Sequence, residues 1–426
     1  MTAKELFGTV NAALRETVST ENESRTDLWT ASPPPALRTA AALTWRILPA
    51  SRVHEALAIW RRLELTLQNQ SLSCCSTWVD QWLQVYGHVV RYRFLIVEDE
   101  TMPVAIVLVV ESRQQVGPVQ VRTLHLGTAG EPQPGSVCVE YNRLLIQPDY
   151  RQAVLAGLMQ YVQANRRWEQ LRLDGFTADD LALWQQGFPQ AEIRWRDSRF
   201  CDLAAVRAAG GDLLSQLGRS TRSNLRRRLK HYGTLECEWA ENLEQASDIL
   251  QELIQLHQAR WQAAGQPGAF ASSRFLEFQQ SGSLRLFLEQ RVVLFRVRHE
   301  GATVGCLLLL NDGNRLLDYL SGFASFDEKP SPGLTTHYLC MEQALRRNFA
   351  AYDFLVGDKR HKDNLSNAVT QLGWLTCTRP SLKMQALQGL RILKRRAGSL
   401  LRKPAHAPCP SVETLSEESS TPTASI

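Results

Sequence analysis

The chain has no apolar run long enough to cross a bilayer. Its longest, Met102 to Val110, falls well short of the roughly 18 residues that signal a spanning helix. The start, MTAKELFGTVNAALRETVSTENESRTD, lacks a long apolar stretch behind a basic one, so no secretory leader is expected and a cytoplasmic protein is. Motifs for serine hydrolysis (G-x-S-x-G), zinc proteolysis (H-E-x-x-H), P-loop nucleotide binding and dinucleotide binding (G-x-G-x-x-G) are missing, which thins those enzyme classes. Excess charge is also slight: +5 over 426 residues gives no general coat for nucleic acid. Cysteines 74, 75, 138, 201, 237, 306, 340, 377 and 409 are odd in number, scattered and mostly inside apolar runs. They read as reduced core residues, with neither a disulfide framework nor a metal site expected.

What is present suits large cores. The chain is 44% hydrophobic and 21% charged, and its length allows two or three domains. Residues 1–40 are polar and end in Ser32-Pro33-Pro34-Pro35, and 404–426 is rich in Pro, Ser, Thr and Glu, so both ends are expected to be disordered. Between them the first half offers strands near 42–48, 91–98, 103–110, 119–126 and 138–146, a helix near 151–165 and a strand at 169–173. The second offers helices at 211–231 and 242–264, strands near 284–289, 292–298, 303–310 and 315–322, a helix at 333–348 and a strand at 351–356. The two halves share an order of antiparallel strands, turn, helix and strand. We therefore expect an α/β (α+β) protein with an internal structural duplication, its modules at 41–205 and 206–380.

The richest stretch is Leu317 to Asn364. An apolar and aromatic run ending at Phe323 reads as a buried strand, Ser331-Pro332-Gly333 as a helix start, and Tyr352 to Val356 as a second buried strand. Ser331 can cap, Pro332 suits the first helical position, and Gly333 lets a ligand approach the backbone. Leu334, Tyr338, Met341, Leu345 and Phe349 recur at helical spacing. A helix start after a strand suits a pyrophosphate, but the same pattern is also an ordinary βαβ crossover.

Basic residues concentrate at Arg219, Arg222, Arg226, Arg227, Arg228 and Lys230, with no acid between Arg219 and Leu235. Such a helix could hold cofactor phosphates, an anionic glycan, a phospholipid head or tRNA, or simply face water. His257, Arg260 and Trp261 fall on adjoining helix surface. A basic amphipathic helix is read at 381–403, able to rest on an anionic membrane surface or to pack against the second module.

Four segments carry a family resemblance: STRSNLRRRLKHYG at 220–233, LHQARWQAAGQPGAF at 256–270, LSGFASFDEKPSPG at 320–333 and YDFLVGDKRHKDN at 352–364. SLSCCSTWVDQWLQVYG at 71–87 and VEYNRLLI at 139–146 echo it. Together they resemble the acetyltransferases grouped as CelD/BcsL, a branch of the GNAT superfamily. The resemblance implies two tandem GNAT-like modules, each a mixed, largely antiparallel sheet flanked by helices, as in FemABX-type acyltransferases. It also implies an acetyl-CoA or other acyl-CoA donor and a sugar or polysaccharide-precursor acceptor; a peripheral contact of the 381–403 helix at the inner membrane face would fit an enzyme acting on such an acceptor. A FemABX-like transfer from aminoacyl-tRNA is the second implication, and a non-catalytic binding module the third.

The donor is expected in the second module, at Ser331, Gly333, Leu334 and Arg360. Neither half has the Q/R-x-x-G-x-G/A phosphate loop of GNAT enzymes. The first module is expected to be degenerate, with Glu140 and Tyr141 joining Arg222, Arg226, His257, Arg260 and Trp261 along the acceptor groove. Acyl transfer needs a base, a stabiliser of developing negative charge and a proton for the leaving thiolate. Asp353, if unpaired in its buried strand, is the base candidate; Lys362 and Arg360 offset charge, and Tyr319 or Tyr338 returns a proton. Asp353 could equally be a salt-bridged structural carboxylate. Where the family commonly shows Tyr-Lys, this chain has His361-Lys362.

Overall fold

Long apolar runs set the centre of the molecule. Val104 to Val110 and Val304 to Leu310 are buried on both strand faces, which only a strand covered by helices on two sides can satisfy. The computed structural model describes residues 43–67, 71–116, 119–137, 139–326, 330–357 and 360–387. The expected disordered ends, and all of the 381–403 helix beyond Leu387, lie outside these residues.

In the first half, β1 (Thr44–Pro49) leads to α1 (Val53–Thr66), α2 (Ser76–Tyr86), β2 (Arg91–Asp99), β3 (Met102–Val116), β4 (Val119–Leu126) and the short β5 (Leu145–Ile146). Then come α3 (Arg151–Ala164), β6 (Gln170–Thr177), α4 (Ala178–Gly187) and β7 (Glu192–Asp202). The second half opens with α5 (Leu203–Ala208), α6 (Leu213–Gln216), α7 (Arg219–Tyr232), β8 (Glu236–Trp239) and α8 (Leu243–Ala263). It continues through α9 (Ser273–Glu277), α10 (Ser283–Leu288), β9 (Val292–His299), β10 (Ala302–Asp312), β11 (Arg315–Phe323), α11 (Pro332–Arg346), β12 (Ala351–Val356), α12 (Arg360–Leu365) and β13 (Ala368–Thr378).

These strands form one sheet, in the order β1-β2-β3-β4-β6-β13-β7-β12-β11-β10-β9-β8, with β5 beside β3. The duplication is visible in it. Each half contributes a mostly antiparallel run that ends in a parallel pair, β4 with β6 and β11 with β12. The closing strands are exchanged: β7 pairs with β12 of the second half, and β13 pairs with β6 of the first. β7 and β13 then pair antiparallel with each other from Ala368–Phe200 to Thr376–Glu192. The sheet therefore runs on across the module boundary expected at residues 205 and 206.

The helices of one face mix the halves as well. α1 and α2 share a single core with α8 and the 270–286 region, and Trp78 of α2 meets Phe278 edge-on at 4.9 Å. The other face carries two separate cores, α3 and α4 over the first half and α5 to α7 with α11 over the second.

Four expected elements differ. Residues 284–289 are α10, not a strand: Ser-Leu-Arg-Leu-Phe-Leu alternates, but it continues a helical chain through α9 and a π-turn at Phe278–Gly282. Of 138–146 only Leu145–Ile146 is strand. The 211–231 helix breaks at Leu217-Gly218. The described start of the basic helix packs on the first half, not the second: Met384 and Leu387 bury against Val121, and Lys383 bonds Glu169. No described helix is long and apolar enough to cross a membrane, and the described cysteines are all free, only Cys237 being exposed.

The exchange makes the halves interdependent. Residues 1–205 and 206–426 expressed apart should each lack a partner for a central strand and fail to unfold cooperatively, yet co-elute when expressed together. A sharp thermal transition in either half alone would refute this.

Candidate active site

Each parallel pair opens as a fork. β4 and β6 pair only from Thr123–Gln170 to His125–Arg172, and β11 and β12 only from Arg315–Ala351 to Leu317–Asp353. The first fork is filled by the chain itself. Asn142 makes a parallel bridge to Phe176, donates its backbone N–H to Gly175 O at 2.9 Å, and sends Nδ2 to Val139 O and Asp174 O, both at 2.7 Å. Among the described residues no strand enters the second fork.

Both strands of that second fork are irregular just past their last pair. Leu308 faces Leu320 while Leu309 faces Asp318, leaving Tyr319 as a bulge residue in β11. In β12 the register breaks between Asp353 and Val356, and Leu355 takes a φ of 60°. Bulges of this kind end pairing and re-aim side chains, and a leucine at positive φ is strained.

Asp353, fully buried, joins the halves at the root of the fork. Its Oδ2 accepts Tyr141 Oη at 2.6 Å and Arg315 Nη1 at 2.6 Å; its Oδ1 accepts Ser198 Oγ at 2.7 Å and Leu355 N at 2.7 Å. Arg315 lies over the rings of Phe200 and Tyr141. The condition set for Asp353 as a base, an unpaired carboxylate, is not met: four donors and an arginine charge hold it as an acceptor. Its pairing is that of the salt-bridged reading.

Glu140 sits across the same bulge. Its Oε2 accepts the Val356 N–H at 2.8 Å. Burial raises its carboxyl to about 7, with Asp353 adding to the rise while the Val356 N–H, Lys362 and Arg196 oppose it. Lys362, 8% exposed, donates from Nζ to Leu355 O and Val356 O, both at 2.9 Å. Gly357, at a φ of 147°, lies so close that a Cβ there would come within 3.0 Å of this Nζ. Glu140, Tyr141, Asp353 and Lys362, named from distant parts of the sequence, thus meet around β12.

At α11 the expected cap is absent. Ser331 is the N-cap residue but is left-handed (φ 50°, ψ 53°) and its side chain makes no cap bond, because capping needs an extended backbone at that position. Pro332 does open the helix. A Cβ on Gly333 would meet the Phe323 ring at 3.2 Å, Leu334 packs on the second-half core, and Arg260 stands over the Phe323 and Phe326 rings. Tyr232 at the end of α7 donates to Pro330 O at 3.1 Å, which sets the basic helix beside the α11 start. Arg360 opens α12.

Other expected residues lie apart. Tyr319 donates to Val137 O and accepts from Gln279, away from the α11 face. His257 accepts from Trp261 Nε1 at 3.0 Å and packs on Phe270. Arg222 bonds Ser215 O, and Arg226 is exposed. Tyr338 donates to Glu342. Residues the sequence reading missed include Arg315, Ser198, Asp318 and His337. Asp318, one acid within an apolar strand run, was the signal available; Ser198 gave none.

Three kinds of comparison bear on this arrangement. Residues 219–363 match the family model of an acetyltransferase (GNAT) domain. Among solved structures, FemX superposes with a TM-score of 0.52 at 12% identity, over 80% of this chain and 97% of that one, and so shares the fold. The C-terminal domain of a putative lysylphosphatidylglycerol synthetase from Agrobacterium fabrum gives 0.47 at 11% identity, over 80% and 96%. A tandem GNAT protein from the clavulanic acid biosynthesis pathway gives 0.43 at 12%, over 79% and 100%. No curated protein matches. The fold is therefore the GNAT-like tandem α/β arrangement, with a GNAT domain match spanning most of the second half.

Removing the charge at the joint has a calculable cost. Asp353→Asn strands the arginine next to a neutral amide and should destabilise the chain by about 3–5 kcal/mol in denaturant unfolding. Tyr141→Phe should cost about 1.5–3 kcal/mol, since it deletes the short bond to the Asp353 carboxylate together with the longer one accepted from Arg315. Equal stability for Asp353→Asn and the parent would contradict the assignment.

Proposed function

We propose that the protein is an acyltransferase whose donor lies in the second fork, and that it acts on an amine or hydroxyl of a sugar, polysaccharide or envelope precursor. One observation carries the reading: of two equivalent forks, the first is plugged by the loop around Asn142 and the second, among the described residues, is not, while that same loop delivers Glu140 to the second fork's bulge. An extended, amide-bearing arm such as that of acyl-CoA suits a gap between two parted strands. The start of α11, with Arg260 over the neighbouring Phe323 and Phe326 rings, suits its phosphates. The missing glycine-rich loop means that Gly333 alone gives the backbone close access there.

Glu140 is the base in this reading, in place of Asp353. A carboxyl titrating at about 7 is half ionised near neutrality and so can take a proton from an incoming amine or hydroxyl. Lys362 supplies positive charge at the bulge, where negative charge develops on the reacting carbonyl. Asp353, Tyr141 and Arg315 fix the positions of both. The sugar-type acceptor and the CelD/BcsL grouping are supported by the motif resemblance, and a peripheral place at an anionic membrane by the basic, leucine-bearing sequence at 381–403.

A second reading, transfer from aminoacyl-tRNA, is favoured by α7. Arg226, Arg227 and Lys230 are exposed on it, and its end touches the α11 start through Tyr232. Binding of tRNA that weakens steeply with salt and is lost on neutralising these three would support it.

Thermal unfolding separates the donors. Acetyl-CoA at about a hundred times its dissociation constant should add roughly 2.7 kcal/mol, a shift of several degrees that Gly333→Val removes. No shift with any acyl-CoA would discard the CoA reading.

Glu140 also gives a pH signature. kcat/KM should rise with pH through a limb near 7, and Glu140→Gln should flatten it with a loss of roughly 10²–10⁴-fold. Its carboxyl rises from 4.5 to about 7 on folding, so between those values the folded chain keeps a proton that the unfolded chain has released. Stability contributed by this group is present below pH 4.5 and lost as pH rises through 7. Glu140→Gln should remove that decline in urea unfolding at pH 5 and pH 8; an unchanged decline would count against the shift.

A further inference from the structure

On the α11 side of the second fork, Asp318, His337 and His361 place a carboxylate oxygen and two imidazole nitrogens within 4.8 Å of one another. We infer that these three side chains form a binding site for a divalent transition-metal ion, zinc foremost. The reading does not depend on acyl transfer.

The spacing of the donor atoms suits a shared ion. His337 Nε2 stands 3.7 Å from Asp318 Oδ2, too far for a hydrogen bond. Two ligands of one tetrahedral zinc, each at about 2.0–2.2 Å, lie about 3.3–3.6 Å apart, so a small closure seats both. The His337 and His361 rings are stacked nearly parallel, 7° apart in plane with centroids at 5.5 Å. Stacking sets the two rings side by side next to the same carboxylate.

The surroundings fit as well. His337 Nδ1 is bonded to Tyr352 Oη at 2.9 Å, which orients the ring and leaves Nε2 as the nitrogen that faces Asp318. Metal-binding histidines are held by just such a bond through the other nitrogen. Phe323 packs edge-on against His337, and Phe354 against both rings, giving an apolar wall. His337 is 3% exposed, and Asp318 has 11% of its side chain exposed. Two imidazoles and one carboxylate are a donor set for zinc and its first-row neighbours, with at least one position left for a further ligand.

Each donor comes from a different element: Asp318 from β11, His337 from α11 and His361 from α12. A bound ion would tie α12, which also carries Lys362, across the mouth of the fork. Sequence spacing gave no hint, because no two of the three lie within a turn or a hairpin of each other.

The test is metal titration of the full chain after dialysis against a chelator. One equivalent of Zn2+ should bind and raise Tm by several degrees, and Co2+ should give a visible absorption band. Asp318→Asn and His361→Gln should each weaken binding by roughly tenfold or more and change that band. Failure to bind one equivalent of either ion, or binding and spectra unchanged by both substitutions, would overturn the site. These two residues are chosen because His337 is the most buried of the three and packs in the core, so its loss would disturb folding; the two variants decide the matter without it.

Discussion

The carboxylate of Asp353 is the constraint on which the rest of the site depends. A fully buried charge is tolerable only when its lone pairs are all engaged, and the four donors here come from four places in the chain. Tyr141 belongs to the loop that plugs the first fork, Ser198 to the exchanged strand β7, Arg315 to the start of β11, and Leu355 to the bulge of β12. Satisfying Asp353 therefore fixes the plug, the exchange and the second fork together. The bulge that follows is a direct result, since Leu355 must turn its N–H back toward Oδ1 and takes a positive φ to do so.

From that joint the neighbouring groups inherit their chemistry. Tyr141 holds its loop against Asp353, and Glu140, the residue before it, is carried to the Val356 N–H. There burial, with the Asp353 charge, raises its carboxyl, and the Val356 N–H, Lys362 and Arg196 oppose that rise. Lys362 is in turn fixed by the two carbonyls that the bulge leaves turned outward. A bulged strand is thus both the product of one buried charge and the frame for two others.

Much of this was legible in the chain. The apolar runs of β2, β3, β9 and β10, the Pro332 helix start and the Leu316–Phe323 strand follow from periodicity, and the order of elements revealed the duplication. β7 and β13 were not legible. Glu192 to Asp202 is crowded with charges because much of it lies open, with only Ser198 and Cys201 fully buried. In β13 the register shift between Gly373 and Leu375 interrupts the alternation. Ser331 had the right residue type for a cap but the wrong backbone. Asp353 could be placed in a buried strand, yet its partners come from β7, β11 and the 139–143 loop, which no local pattern links.

The two forks also explain how a duplicated fold becomes asymmetric. Both are made the same way, by parallel strands that pair for three residues and part. In the first, Asn142 supplies the missing edge bonds, so that fork is satisfied internally and its loop is free to present side chains elsewhere. In the second, the edge is irregular and the nearby polar groups are Glu140, Lys362, Asp318, His337 and His361. Filling one fork with protein is what furnishes the other with a carboxylate from outside its own half. The halves differ because the loop that fills one fork also reaches into the other.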